Sequence, residues 1–137
     1  MVIAVIGIVA AIAIPNIVNI IYQAKASVAQ RNAQNIASTA NDALAAGYPG
    51  TAWPSLESVV YTLTVPGVTV DATHGGTNPM VFKVSGLSVA DAIRAKNFMI
   101  YSGSTSIGAK TIPTVPMDQV ETQIASLGPG QGVIDTH

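Results

Sequence analysis

The chain has 137 residues, a formal net charge of −1 and only 9% charged residues. This length is typical of one domain, and the six Lys and Arg residues are scattered, which argues against a nucleic-acid-binding surface. Because the chain has no cysteine, disulfides, thiol nucleophiles and cysteine-based metal sites are excluded. A surface with so few charges suits packing against other copies of the same chain.

Residues 1–46 predict one long helix with two different halves. The first fourteen residues are all apolar or glycine, and the first charge in the chain is Lys25. From Lys25 to Ala46 the chain is rich in alanine and polar helix formers, with no proline or glycine. At about 1.5 Å per residue the helix is roughly 70 Å long, against about 30 Å for a domain of this size. About half of it is therefore expected to protrude.

The two halves of this helix require different surroundings. The first half is apolar on every side, so it belongs in lipid or in a dense protein core, and its protrusion implies a membrane or many copies of itself. Residues 17–44 have an apolar stripe at spacings of three and four. The stripe consists of Ile17, Ile21, Ala24, Val28, Ala29, Ala33, Ile36, Ala40 and Leu44. The polar residues expected to face away from it are Lys25, Gln30, Arg31, Asn35 and Asp42.

Residues 1–16, MVIAVIGIVAAIAIPN, resemble the N-terminal segment of type IV pilins and of the related type II secretion pseudopilins. The spacing of Gly7 and Pro15, the run from Ala10 to Pro15 and the alanine-rich helix that follows carry the resemblance, which covers about the first third of the chain. It implies a ladle-shaped subunit, anchored in the inner membrane before the pilus or secretion machinery assembles it. The helices of many copies would then form the core of an extracellular helical filament.

The resemblance also implies where copies meet and how the mature chain begins. The expected filament-core residues are Val2, Val5, Ile6, Gly7, Ile8, Val9, Ile12, Ile14, Pro15, Ile17, Ile21 and Tyr22. The family motif opens with a Phe-Thr-Leu-Ile-Glu-like segment that prepilin peptidase exposes and that is then N-methylated. We expect this segment, and a basic leader before it, upstream of Met1; the alternative is that this protein assembles without the Glu of the motif. About seven more apolar residues would bring the segment to the roughly 20 that span a membrane.

Gly7 and Pro15 mark the weakest part of the predicted helix. Proline has no amide hydrogen to bond the carbonyl of Ala11, and glycine costs a helix roughly 1 kcal/mol relative to alanine. We therefore expect a non-helical break between Gly7 and Pro15 in the assembled polymer. The alternative is a simple proline kink, which membrane helices tolerate.

Residues 47–137 predict a small α+β head in which a small antiparallel sheet and short helices lean on the rod. Gly47 is placed to end the long helix, and Ser55 and Ser88 are placed to cap two short ones. Strands are expected at 68–70, 80–84, 98–101 and 107–112, with a turn at 66–67, a last helix at 118–127 and a flexible tail at 128–132.

No residue pattern in the head predicts catalysis or a cofactor site. Residues 103–111 approach a phosphate-binding loop, but Ala109 separates the second glycine from the lysine and prolines follow, so a hairpin turn is favoured. His74 and His137 are the only histidines, which is too few for a metal site. The pseudopilin resemblance suggests a C-terminal calcium site with Asp118, Glu121 and Asp135 as ligands. The spacing of these residues matches no dense acidic loop, so this site is disfavoured.

The sequence therefore predicts a structural subunit of an extracellular, type IV pilus-like filament that is not an enzyme. Two alternatives remain open: a pseudopilin of a type II secretion system, and a membrane-anchored binding domain that does not polymerise. An N-terminal signal peptide is disfavoured because no basic residue precedes the apolar run, and because the run continues into a helical pattern instead of a cleavage site.

Overall fold

The computed structural model describes residues 2–71, 78–103 and 106–127, with residues 12–16 described by their backbone. Within these residues the fold is α+β, with a long N-terminal helix, further short helices and two small antiparallel sheets. The predicted tail at 128–132 lies outside the described residues, as do His74, Asp135 and His137. The expected α+β class and the long N-terminal helix are confirmed.

The first helix, α1, runs without interruption from Val2 to Ala45 and passes through Gly7 and Pro15 as an α-helix. It ends where glycine was predicted to end it, because Gly47 adopts a φ of 102° that favours glycine. The amide of Tyr48 then donates to the Ala43 carbonyl at 2.9 Å and that of Gly47 to the Leu44 carbonyl at 3.0 Å. These two bonds satisfy carbonyls that the helix end would otherwise leave unpaired.

The remaining elements follow the predicted order, and three of the four strands are shorter than predicted. After a 3₁₀ turn at Gly50–Ala52 come α2 (Leu56–Thr64), β1 (Val68–Val70), β2 (Met80–Phe82), α3 (Val89–Lys96), β3 (Met99–Tyr101), β4 (Ile107–Ala109) and α4 (Met117–Ser126). Both predicted caps are confirmed, since Ser55 Oγ accepts from the Ser58 amide and Ser88 Oγ accepts from the Asp91 amide.

The expectation of one sheet is wrong, because the four strands form two separate hairpins. Thr69 of β1 pairs with Val81 of β2, and Ile100 of β3 pairs with Gly108 of β4, both antiparallel. The strand predicted at 80–84 stops at residue 82, since the amide of Val84 donates to the carbonyl at the end of α2, on Leu63, at 2.9 Å. With α3 between them in the chain, the two hairpins pack separately against α1.

The core of the head lies between α1 and the elements that surround it. Trp53, Phe98 and Ile36 are its largest fully buried side chains. The indole nitrogen of Trp53 donates to Thr62 Oγ1 at 2.8 Å, so this residue buries its ring without losing a hydrogen bond. The side chain of buried Asn97 likewise holds the loop before α4, donating to the Val115 carbonyl at 2.7 Å and accepting from its amide at 2.9 Å.

A cluster of ion pairs links α1, α3 and α4. Lys25 contacts Glu121 of α4 at 2.8 Å, and Arg94 of α3 contacts the same carboxylate at 2.6 Å. Gln30 of α1 donates to the Thr111 carbonyl at 2.8 Å. The prediction that Lys25 and Gln30 face away from the head is therefore wrong. The long side chain of Lys25 reaches α4, and that of Gln30 reaches the loop that contains Thr111.

The Glu121 cluster predicts a pH-dependent contribution to stability. Hydrogen bonding to Arg94, aided by Lys25, lowers the pKa of Glu121 from 4.5 to about 2. Because the folded-state pKa is depressed, the stabilisation is fully present above pH 4.5 and is lost as the pH falls toward 2. We expect Glu121→Gln to lower the free energy of unfolding of the full chain in neutral detergent by about 1–3 kcal/mol at pH 7.

Thermal unfolding of wild type and Glu121→Gln at pH 7 and pH 2 checks this expectation, and the difference between them should nearly disappear at the lower pH. Glu57→Gln is the matched control, since Glu57 makes a more exposed ion pair with Lys96 and should change stability by less than about 1 kcal/mol. An equal loss for Glu121→Gln at both pH values would contradict the assigned role of this carboxylate.

Candidate assembly surface

The head buries only the second half of α1. The buried residues of this helix begin at Ala29 and include Ala33, Ile36, Ala40 and Ala43. Alanines at these positions let neighbouring elements approach the helix closely, and α3 presents two further buried alanines. The predicted stripe is thus confirmed from Ala29 onward.

The first half of the predicted stripe does not pack on the head. Ile17, Ile21 and Val28 are 52%, 46% and 51% exposed, and Ala24 is exposed as well. These residues stay uncovered because the head is shorter than the helix. Contacts with the head begin near Lys25 and Ala26, and the helix continues beyond them toward Val2.

Among the described side chains of the first half, ten large aliphatic ones are exposed in the single chain. Their exposed fractions run from 44% at Val18 to 85% at Ile3. They are Val2, Ile3, Val5, Ile6, Ile8, Val9, Ile17, Val18, Ile20 and Ile21. Because successive helical residues are about 100° apart, this series surrounds the helix and does not form one stripe. We define these ten side chains as the apolar rod surface.

The structure locates most of the predicted filament-core residues on this rod. Val2, Val5, Ile6, Ile8, Val9, Ile17 and Ile21 belong to the apolar rod surface. A Cβ added to Gly7 would meet nothing within 4 Å, so the chain itself does not require glycine there. Tyr22 is half-buried, and the side chains of Ile12, Ile14 and Pro15 lie outside the described ones.

The rod is also electrically neutral. No Asp, Glu, Lys or Arg occurs before Lys25, and the rod's described polar residues ahead of Lys25 include Asn19 and Gln23, both exposed. A partner of this surface would contact mainly aliphatic side chains, together with a few side-chain amides. A charged or strongly polar partner would lose hydration without gaining ion pairs.

The head carries one notable groove of about 480 Å³. Its apolar lining includes Leu56 of α2, Ile93 of α3 and Val120 of α4, and the ion pair between Glu57 and Lys96 borders it. Sequence reasoning missed this groove because its lining residues come from separate elements that only tertiary packing brings together.

The described residues give no metal-binding arrangement. Among them, no three His, Cys, Asp or Glu side chains come together as metal ligands. The carboxylate of Glu121 is already engaged by Arg94 and Lys25, which makes it a poor calcium ligand. Ile107–Ala109 is a strand, not the start of a helix, so the hairpin interpretation of the glycine-rich loop is confirmed.

Within the part of the chain that the structure describes, none of the helices combines the length and the hydropathy that crossing a membrane requires. No protein-family model, curated protein or solved structure matches this chain.

Proposed function

We propose that this protein is a structural subunit of an extracellular, type IV pilus-like filament, in which the rods of many copies form the core. The observation that carries the proposal is the apolar rod surface, whose ten aliphatic side chains have no partner among the described residues of the chain. The pilin resemblance of residues 1–16 supports the family assignment and the extracellular location. In this proposal residues 1–24 are the assembly segment and residues 47–137 form the outward-facing head.

The energetics favour burial of the rod among copies. Burying an exposed Val or Ile side chain contributes about 1.5–3 kcal/mol, so ten give on the order of 15–30 kcal/mol. Association costs about 4–15 kcal/mol in lost freedom, plus ordering of side chains. The balance supports a durable polymer without covalent links, which fits a chain that has no cysteine.

The identity of the partner follows from the chemistry of the rod. An uncharged aliphatic helix is complementary to lipid tails or to another such helix. In the proposal the inner membrane holds the subunit before assembly, and helix contacts then replace lipid contacts. The head and its ion pairs remain outside the core, where water can solvate them.

A charge placed in the rod should abolish assembly. Ile8 is 63% exposed in the single chain, so Ile8→Asp leaves the subunit fold intact but places a carboxylate in the apolar core of the filament. A buried, unpaired charge costs at least several kcal/mol at every copy. We expect no fibres in electron micrographs of sheared cell-surface material.

Ile112→Asp is the matched control, because Ile112 is 75% exposed and belongs to the head instead of the rod. Fibres should form with this variant. If Ile8→Asp forms fibres as abundantly as wild type, the claim that residue 8 is buried between copies fails.

Gly7 tests whether the helix opens during assembly. The single chain is helical through Gly7, and no atom opposes an added methyl group there. Gly7→Ala should therefore stabilise the subunit's helix by about 1 kcal/mol and resist a break between Gly7 and Pro15 in the polymer. We expect unchanged or higher helicity by circular dichroism in detergent, together with a lower yield of fibres.

Ala10→Gly provides the opposite control. It weakens the helix within the same segment and therefore does not resist the break, so we expect the fibre yield not to fall. Normal fibres from Gly7→Ala, with a continuous helix through residues 7–15, would contradict the proposed break.

A further inference from the structure

The side of α1 that points away from the head carries two opposite charges. The buried alanines of this helix, from Ala29 to Ala43, lie on one side of it. At about 100° per residue, positions 31 and 42 lie roughly 200° and 220° around the helix from Ala29, which places them on the opposite side. Arg31 and Asp42 occupy these positions, and both are exposed in the single chain. We call the line along α1 that passes through these two residues the outer face.

Neither charge has a partner among the described residues of its own chain. The two residues are eleven positions apart, about 16 Å along the helix, which is too far for their side chains to meet. Among the described residues, no ion pair or side-chain hydrogen bond involves either of them. By contrast, the third charge of α1, on Lys25, contacts Glu121 at 2.8 Å. Arg31 and Asp42 are therefore available to a partner outside the chain.

The outer face continues into the apolar rod surface. Ile20 is 58% exposed and lies eleven positions before Arg31, so one line along the helix joins the rod to the two charges. The break proposed between Gly7 and Pro15 lies nearer the N terminus and leaves residues 17–45 helical. A neighbour that covers the rod around Ile20 can therefore continue along the outer face, where it meets Arg31 and Asp42.

A second copy of the chain matches this face better than a partner of one charge sign. An anionic partner would attract Arg31 but repel Asp42, and a cationic partner would do the reverse. Another copy offers both charges on one line, so Arg31 of each copy can meet Asp42 of another. Two parallel copies in register would instead bring like charges together, which is unfavourable.

We propose that a second copy of the chain packs on the outer face of α1, with Arg31 of one copy paired to Asp42 of the other. This inference rests on the proposed function, and it adds a charged contact at the level of the head to the apolar contact of the rods. An exposed ion pair adds little to affinity, but a mismatched one is repulsive. The pair therefore selects how neighbouring copies align.

Charge reversal tests the pairing. The measured quantity is the concentration of intact chain left unassembled after transfer from detergent into buffer of low ionic strength. Arg31→Glu brings two acidic residues together at the contact, and Asp42→Arg brings two basic ones together. We expect each variant to raise the unassembled concentration roughly tenfold. At about 1 M salt, where the Debye length is about 3 Å, this difference should nearly disappear.

A mixture of the two variants shows whether the contact joins different copies. Glu at position 31 of one variant can pair with Arg at position 42 of the other, and the remaining Arg31 and Asp42 can pair as in the wild type. We therefore expect an equimolar mixture to assemble to within about twofold of the wild type. Circular dichroism in detergent should show unchanged helicity for both variants, since neither replaced side chain has a partner among the described residues.

Two controls separate pairing from net charge. Lys83→Glu makes the same change in net charge as Arg31→Glu at another exposed residue and should assemble like the wild type. Asp118→Arg, also at an exposed residue, replaces Asp42→Arg in a control mixture with Arg31→Glu. This mixture has the same average charge but does not restore the pair, so it should assemble less well than the mixture of Arg31→Glu and Asp42→Arg.

The proposal is overturned if either reversal alone assembles as well as the wild type, or if their mixture assembles no better than the poorer variant. Better assembly of Asp42→Arg would indicate an anionic partner and would also overturn it. If the wild-type chain forms no fibres, the filament proposal is wrong and the contact is overturned with it. If the wild type forms fibres and the reversals leave assembly unchanged, only the contact is wrong.

Discussion

The alanine face of α1 between Ala29 and Ala43 fixes where the protein's own core ends. Small side chains there let α3 and the β3–β4 hairpin pack closely on the helix, and together they complete a core around Trp53 and Phe98. Nothing among the described residues continues that core past Lys25. The same continuous helix then extends about 35 Å further with aliphatic side chains on all sides. One end of this helix is thus buried against the head, whereas the apolar side chains of the other end are exposed. Any function of this chain must account for that exposed end.

The junction between the two parts separates them chemically. Lys25 is the first charge in the chain, and it contacts Glu121, which Arg94 also contacts. This polar cluster ties α4 and α3 to the helix where the head ends. Aliphatic surface lies on one side of it and solvated head surface on the other. Copies that associate through their rods can therefore do so without disturbing the packing of their heads.

Much of this architecture was predictable from local sequence signals. Gly47, Ser55 and Ser88 ended or capped helices as predicted, because these signals depend on neighbouring residues only. The positions of Lys25 and Gln30 were not predictable, since their partners, Glu121 and Thr111, lie more than eighty residues away in the chain. The two separate hairpins and the groove on the head depend on tertiary packing for the same reason. The candidate surface was visible in the sequence because it lies within one continuous stretch of the chain. The structure added the position at which the head begins to cover the helix, near Lys25 and Ala26.

Sedimentation velocity of the intact chain, transferred from detergent into aqueous buffer, tests most directly whether the rod must be buried between copies. Burial among identical chains predicts large, fast-sedimenting assemblies and almost no single-copy species at micromolar concentration. A stable, freely soluble monomer that retains residues 1–24 would contradict it, because the aliphatic side chains of the rod would then remain in water without a partner.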